Sequence, residues 1–394
     1  MKKFAALLIL AGLAAVLFVS APVGSQGRGN KLHKKANKIQ NSYIVVLDDD
    51  VVGEKGIYSI APYIAEDMGN VYRGKVKHVY QHALNGFAAE MSEEDAQRLS
   101  EDFRVKFVEE DSIMTADATQ NNPPWGLDRI DQRNRPLSAT YTYNWTGSGV
   151  RVYVIDTGIR TSHTQFGGRA SNVFDAFGGS GADCHGHGTH VSGTVGGSTY
   201  GVAKSSLLRG VRVLDCTGNG STSGVIAGVD WVRVNRIDPA VANMSLGGGV
   251  STALDNAVNN LSNSGVTIAV AAGNSNANAC NSSPARAANA ITVGSTTSTD
   301  ARSSFSNFGT CLDLFAPGSS ILSAYYTSNT ATATMSGTSM ASPHVAGVAA
   351  LYKQANPSAS ATTIRNAIVN NATTNVVTNA GSGSPNRLLY SLFF

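Results

Sequence analysis

The chain has 394 residues, a length that suits one large domain with accessory segments and is too long for a single small domain. Its formal net charge is only +3 and 14% of its residues are charged, which excludes the strong positive field typical of nucleic-acid-binding proteins. The sequence contains 41 glycines, many of them beside polar turn residues, and this composition indicates a loop-rich fold rather than a helical bundle.

The N-terminus has the pattern of a secretory signal. Lys2 and Lys3 precede an apolar run over residues 4–19, and small residues follow it. The run is shorter than a typical transmembrane helix. We predict a signal peptide over residues 1–25, cleaved after Ser25, and a basic linker over residues 26–41. The protein is therefore expected to be extracellular without stable membrane association, and a retained N-terminal anchor is the alternative.

Residues 42–117 predict a small α+β domain. Apolar alternation indicates strands over residues 43–47, 76–80, 86–91 and 105–113, and helical patterns cover residues 57–67 and 92–99. The order strand–helix–strand–strand–helix–strand is the split β-α-β, ferredoxin-like arrangement. A polar linker that ends in two prolines follows over residues 115–124.

Residues 118–394 predict an α/β domain with a mainly parallel central sheet and helices on both faces. Buried strands are expected over residues 150–155, 207–214, 241–246, 266–271 and 290–293, with helices over residues 190–195, 223–234, 253–264 and 340–353. Such sheets bind ligands at the carboxyl ends of their strands. Asp156 and Asn274 each follow a predicted strand, so chemistry is expected there.

Three motifs contain residue types suited to nucleophilic catalysis. Ser339 lies between small residues at the start of an apolar helix, where the helix dipole favours developing negative charge. A serine hydroxyl needs a base, and His187 in a Gly-His-Gly-Thr-His motif is the candidate; Asp156 would fix its tautomer. Each residue alone could be a helix cap or turn former, but the chain order Asp, His, Ser is that of subtilisin.

These motifs are similar to those of the subtilisin-like serine proteases, in particular their secreted, proteinase K-like branch of the aqualysin type. The resemblance covers residues 118–394, and residues 85–91 resemble the family's propeptide. It implies a monomeric, secreted serine endopeptidase that acts on proteins and peptides, with broad specificity for apolar or aromatic residues before the scissile bond. It also implies an autoprocessed precursor, whose propeptide over residues 42–117 is inhibitor and folding aid. The chain ends directly after the catalytic domain, so we expect no C-terminal extension.

The resemblance assigns further site residues. Asn274, in an Ala-Ala-Gly-Asn motif, and the Ser339 backbone N–H would form the oxyanion hole. Two side-chain-poor segments would flank an extended substrate, and Gly273 would form part of the wall of the pocket for the residue before the scissile bond. His185 is a departure, because relatives often carry Asn there. The expected substrate-binding positions are Gly218, Gly220, Ser245, Leu246, Gly247 and Gly273.

Structural calcium is the cofactor that the resemblance implies, since hard oxygen ligands suit this ion. One site would use the side chain of Asp313 and the backbone carbonyls of Ala288 and Ala290. A second would use Asp128, Asp131 and Gln132, although the rest of that loop is not acidic.

The four cysteines are expected to form disulfides, because their number is even and the chain is exported. Three pairings are possible from the sequence. Relatives of the aqualysin type pair sequentially, which implies Cys184 with Cys216 and Cys280 with Cys311.

Three other interpretations compete with this one. His185, His187 and His190 nearly match a zinc-hydrolase pattern, but Thr189 stands where an Asp ligand is needed. An esterase using Ser339 needs its histidine downstream, and only His344 follows, on the same short helix. The remaining alternative is an inactive scaffold that retains the protease fold.

Overall fold

The computed structural model describes residues 31–35, 38–53, 55–56, 59–112 and 118–394. The chain divides into two compact units, Met1–Met114 and Thr115–Phe394. The predicted signal peptide, parts of the predicted linker and residues 113–117, which adjoin the predicted start of the second domain, lie outside the described residues. Within the described residues, no helix combines the length and the apolar character that crossing a bilayer requires.

The first unit is an α+β fold with a five-stranded sheet in the order β1-β5-β2-β4-β3. Alternate residues of β2 are buried, including Tyr43, Val45 and Leu47, so this strand places one face against the core. Ser92 caps α3 by accepting a hydrogen bond from Asp95 N. The elements are β1 Leu32–His33, β2 Lys38–Leu47, α1 Asp49–Val52, α2 Ala61–Val71, β3 Lys75–Tyr80, β4 Gly86–Glu90, α3 Glu93–Ser100 and β5 Val105–Ser112.

The second unit contains a nine-stranded sheet in the order β17-β18-β14-β13-β12-β11-β8-β10-β9, parallel except for the edge pair β17–β18. Two short antiparallel pairs, β6–β7 and β15–β16, accompany it. Its strands are β6 Ala118–Asn121, β7 Thr140–Tyr143, β8 Arg151–Asp156, β9 Ala170–Asp175, β10 Leu207–Arg212, β11 Ala240–Met244, β12 Thr267–Ala271, β13 Ile291–Thr296, β14 Leu314–Pro317, β15 Ile321–Ala324, β16 Thr332–Met335, β17 Thr373–Thr374 and β18 Arg387–Leu388. Its α-helices are α4 Trp125–Ile130, α5 His187–Gly196, α6 Thr222–Asn235, α7 Thr252–Asn263, α8 Thr338–Ala355 and α9 Ala361–Asn371, and Thr164–Phe166 and Ala279–Asn281 form short 3₁₀ turns.

The central strands are buried on both faces because helices cover each side of the sheet. One apolar cluster joins the sheet to α5, α8 and α9, and a second joins it to α6 and α7. The predicted fold class is confirmed for both units. The short strands β9 and β14 and the helix α9 were not predicted from the sequence.

Candidate active site

Asp156 and His187 lie together at the carboxyl end of the sheet. Asp156 is the last residue of β8 and is fully buried, and His187 is the first residue of α5. His187 Nδ1 donates a hydrogen bond of 2.7 Å to Asp156 Oδ1, which also accepts from Thr157 N at 2.8 Å. Burial opposes the charging of His187, but the charge and hydrogen bond of Asp156 outweigh it, so the pKa of His187 lies above its ordinary value.

A second carboxylate, Asp183, holds the start of α5 in place. The N-cap residue, Gly186, has φ +105° and no side chain with which to cap the helix. Asp183 instead accepts from the backbone N–H groups of His185, Gly186 and Thr189 at 2.8–2.9 Å. It also accepts from the hydroxyls of Thr157 and Thr189. No role was predicted for Asp183 from the sequence, although an Asp shortly before a helix that begins after glycine is a usable capping signal.

Ser339 lies in the first turn of α8, beside the end of β11. Its hydroxyl donates to Ser245 O at 3.1 Å, and the hydroxyl of Ser245 donates to Ser339 O at 2.8 Å. Among the described residues, no hydrogen bond joins Ser339 to His187. Because the first N–H groups of a helix have no partner within it, the Ser339 N–H is free to bind an anion.

Asn274 follows β12 and points its amide at the same turn. Its Oδ1 accepts from Thr338 N at 2.8 Å and from Thr338 Oγ1 at 2.9 Å. These two donors identify the amide oxygen and leave Nδ2 as the donor beside Gly337 and Ser339. Thr338, which the sequence analysis did not single out, therefore fixes the orientation of Asn274.

Two adjoining depressions flank these residues and share residues 246–249. The first, about 350 Å³, is lined by His187, and the second, about 380 Å³, is lined by Ser339 and Asn274. None of the described residues that line the second depression is ionisable. All six predicted substrate-binding residues line one or both depressions: Gly218, Gly220, Ser245, Leu246, Gly247 and Gly273.

The three histidines of the predicted zinc alternative do not converge. His190 is fully buried, and its Nε2 lies 3.0 Å from the carbonyls of both Ile321 and Ala333. Burial lowers the pKa of His190 to about 4. Across the described residues, no group of three or more His, Cys, Asp or Glu side chains could hold a metal ion. The geometry gives no support for a zinc hydrolase.

The two predicted calcium positions differ in their surroundings. Asp131 is buried, and its Oδ1 has no hydrogen-bond partner, while Oδ2 accepts from Thr142 N at 2.6 Å. Burial, with the neighbouring charge of Asp128, raises the pKa of Asp131 to about 6. At the other position, Arg365 Nη2 donates to Asp313 Oδ1 at 2.5 Å and Arg365 Nε donates to Ala290 O at 3.3 Å.

The disulfides have the predicted sequential pairing, Cys184 with Cys216 and Cys280 with Cys311. The first lies next to the cleft, because Cys184 precedes His185 and Cys216 lies two residues before Gly218. It therefore connects the segment that leads into α5 with the loop that lines the first depression.

Comparison with known proteins places this chain in a family. Residues 147–388 match the model of the Subtilase family, and residues 42–117 match Peptidase inhibitor I9. An "Extracellular serine proteinase" of Thermus sp. (strain Rt41A) is 60% identical over 321 residues, which are 81% of this chain and 78% of that protein. A "Cuticle-degrading protease" of Metarhizium anisopliae is 42% identical over 97% of this chain and 98% of its own.

The fold agrees with these matches. The crystal structure of a cold adapted subtilisin-like serine proteinase is 57% identical, with a TM-score of 0.68 over 70% of this chain and 100% of that one. The chain therefore belongs to the subtilase family: it is a secreted serine endopeptidase made with an inhibitor I9 propeptide.

Proposed function

We propose that Asp156, His187 and Ser339 are the catalytic triad of this endopeptidase. His187 Nε2 takes the proton of Ser339 as its oxygen attacks the substrate carbonyl, and then donates it to the departing amine. Water, activated by the same nitrogen, releases the acyl group from Ser339. The 2.7 Å hydrogen bond from His187 Nδ1 to buried Asp156 is the observation that carries this proposal. The present Ser339–Ser245 bond is compatible with it, since catalytic contacts often tighten only when substrate binds.

Asn274 Nδ2 and the Ser339 N–H supply the oxyanion hole in this mechanism. Both donors belong to groups that the fold holds still: Thr338 fixes the Asn274 amide, and α8 fixes the backbone of Ser339. Preorganised donors stabilise the developing oxyanion because they need no reorientation during the reaction.

The specificity we propose is broad, with a preference for apolar or aromatic residues before the scissile bond. The depression beside Asn274 supports this preference, because its described lining contains small and neutral residues and no charge that would select a charged side chain. Gly218, Gly220, Ser245, Leu246 and Gly247 would hold the substrate backbone along the cleft.

Calcium is proposed to stabilise the peptidase unit at the loop of Asp128, Asp131 and Gln132. Subtilases often bind structural calcium. The buried, unpartnered Asp131 Oδ1 and the neighbouring Asp128 carboxylate are hard oxygen donors that a divalent cation would neutralise. The predicted site at Asp313 fits calcium less well. The Arg365 guanidinium already binds two of the three predicted ligands of that site, the Asp313 carboxylate and the Ala290 carbonyl.

The domain boundaries belong to the same proposal: a signal peptide over residues 1–25, a linker to residue 41, an inhibitory propeptide over residues 42–117 and a monomeric peptidase domain over residues 118–394. The first cut, near Ala118, would be made by the enzyme itself. A Ser339→Ala precursor expressed in a protease-deficient host should then stay uncut, and cleavage near Ala118 in that variant would require an outside protease.

Two variants test the catalytic assignment directly. His187→Ala should lower kcat by several orders of magnitude, because triad members act as a unit. His185→Ala serves as the matched control, since it removes an imidazole from the same cleft. A serine-directed phosphonyl reagent should label Ser339 in the wild type. Activity retained in His187→Ala and lost in His185→Ala would move the base to His185 and refute the triad.

A further inference from the structure

Five histidines lie in the peptidase unit, and burial divides them into two groups. Three are buried and have ring nitrogens close to backbone atoms: His163 Nε2 is 2.8 Å from Ala331 O, His190 Nε2 contacts two carbonyls, and His344 Nδ1 is 2.8 Å from Met340 O. The other two, His185 and His187, are partly exposed and line the same cleft. Within the peptidase unit, these are therefore the two imidazole rings that a ligand from solution can contact.

The two rings lie close together, and each has a nitrogen atom without a hydrogen-bond partner among the described residues. Their centroids are 6.3 Å apart, with 59° between the ring planes. His187 uses Nδ1 for Asp156, so its Nε2 has no hydrogen-bond partner among the described residues. His185 Nδ1 is buried and also has no partner. The backbone of His185 is held, because its N–H donates to Asp183 at 2.9 Å and Tyr325 OH donates to its carbonyl at 3.3 Å.

We propose that His185 and His187 form a two-histidine site for a borderline transition-metal ion such as zinc. A ring separation of 6.3 Å leaves room for one ion bound to a nitrogen of each imidazole at about 2.0–2.1 Å. The Asp156 carboxylate on Nδ1 is the second-sphere partner that metal-binding histidines commonly have, and it orients Nε2 towards the cleft. Water would complete the coordination, since no third His, Cys, Asp or Glu joins the two among the described residues.

The site is inhibitory rather than catalytic. An ion on His187 Nε2 occupies the lone pair that takes the proton of Ser339, so hydrolysis stops until the ion leaves; this consequence rests on the proposed function. The ion also lies in the cleft that would hold substrate, so inhibition should be competitive. Because His185 is one of the two proposed ligands, the inhibition should depend on that residue.

The test titrates zinc chloride into the secreted, active enzyme with calcium in constant excess, and follows hydrolysis of a chromogenic peptide. His185→Asn is compared with the wild type, each referred to its own zinc-free rate, and Asn219→Ala is a control that alters the same cleft without removing an imidazole. His185→Asn should raise the zinc concentration for half-inhibition by at least about tenfold, and Asn219→Ala should not. Removal of zinc by a chelator should restore activity.

Equilibrium dialysis of the same proteins separates binding from inhibition. The wild type should retain one more zinc ion per chain than His185→Asn, whether or not His187 is the catalytic base. Equal zinc retention by the two proteins would overturn the site. If the wild type retained more zinc than His185→Asn but was not inhibited by it, the metal site would be supported and the proposed catalytic role of His187 would be contradicted. Equal inhibition of both proteins would overturn the claim that His185 is a ligand.

Discussion

The ion pair of Arg129 and Asp300 is buried, and its loss should destabilise the peptidase unit strongly. Arg129 has no exposed surface and binds Asp300 through two bonds, Nε to Oδ1 at 2.7 Å and Nη2 to Oδ2 at 3.1 Å. Its remaining donors bind the carbonyls of Gln132 and Arg133 at 2.7 and 3.2 Å. The pair thus attaches α4 to a loop 171 residues away in the chain.

The perturbation is Asp300→Asn, which keeps the size of the side chain and suits its backbone, since Asn tolerates the φ of +65° at this position. It leaves a buried guanidinium without its counter-ion. Removing one partner of a buried pair costs about 3–5 kcal/mol. For a unit of this size that corresponds to a fall in Tm of about 5–9 °C.

The assay is thermal unfolding at a fixed scan rate, on enzyme inactivated by a phosphonyl reagent so that autolysis does not contribute. Asp238→Asn is the matched control: Asp238 faces Arg236 at 3.5 Å, but its side chain is 62% exposed, so its loss should cost less than about 1 kcal/mol. The double variant Arg129→Met/Asp300→Asn should lose less stability than the two single variants lose in sum, because it leaves no unpaired charge. Equal falls in Tm for Asp300→Asn and Asp238→Asn would show that the buried pair stabilises the unit no more than the exposed pair does.

Three further predictions concern the site. Asp156→Asn should lower kcat by about four orders of magnitude. The Asp156 carboxylate raises the pKa of His187, so its removal should lower that pKa. Because the base must be neutral, the residual activity should begin to rise at a lower pH than in the wild type, which a profile of kcat/KM against pH would show. Thr338→Val should lower kcat about fivefold with little change in KM. This factor corresponds to the loss of about 1 kcal/mol for one hydrogen bond to Asn274. Thr338→Ser keeps the hydroxyl and should keep the wild-type kcat. Chelation of calcium should lower Tm, and Asp131→Asn should reduce the difference between the Tm measured with calcium and the Tm measured with chelator. Asp230 is an exposed carboxylate on α6, and Asp230→Asn should leave that difference unchanged.

The sequence predicted the central strands well because their apolar runs are buried on both faces, as in β8 and β12. It placed the start of α5 three residues late, at residue 190, because the capping carboxylate, Asp183, lies outside the helix and Gly186 carries no capping signal of its own. The helix α9 was overlooked although Ser360 caps it by accepting from Thr363 N. Short edge strands such as β9 carry too few apolar residues to be distinguished from loops.

Hydrogen-bond and ion-pair partners that lie outside the recognised motifs could not be predicted from the sequence. The positions of the proposed triad residues could be predicted because each belongs to a short motif. Nothing near Asp313 indicates that Arg365, 52 residues later, would bind it, and this pairing changes the assessment of the calcium position. The unpartnered oxygen of Asp131 likewise depends on how the segment that contains Thr142 folds over it.

The two carboxylates beside α5 contribute differently to the proposed role of His187 as the catalytic base. Asp183 accepts five hydrogen bonds from backbone and hydroxyl donors, so its charge is fully used in holding the start of the helix. Asp156 accepts only from His187 and Thr157, and its Oδ2 has no partner among the described residues. Its charge therefore remains available to the imidazolium that forms when His187 takes a proton. In this proposal Asp183 fixes the backbone at the start of α5, and Asp156 orients the His187 ring and would stabilise its charged form.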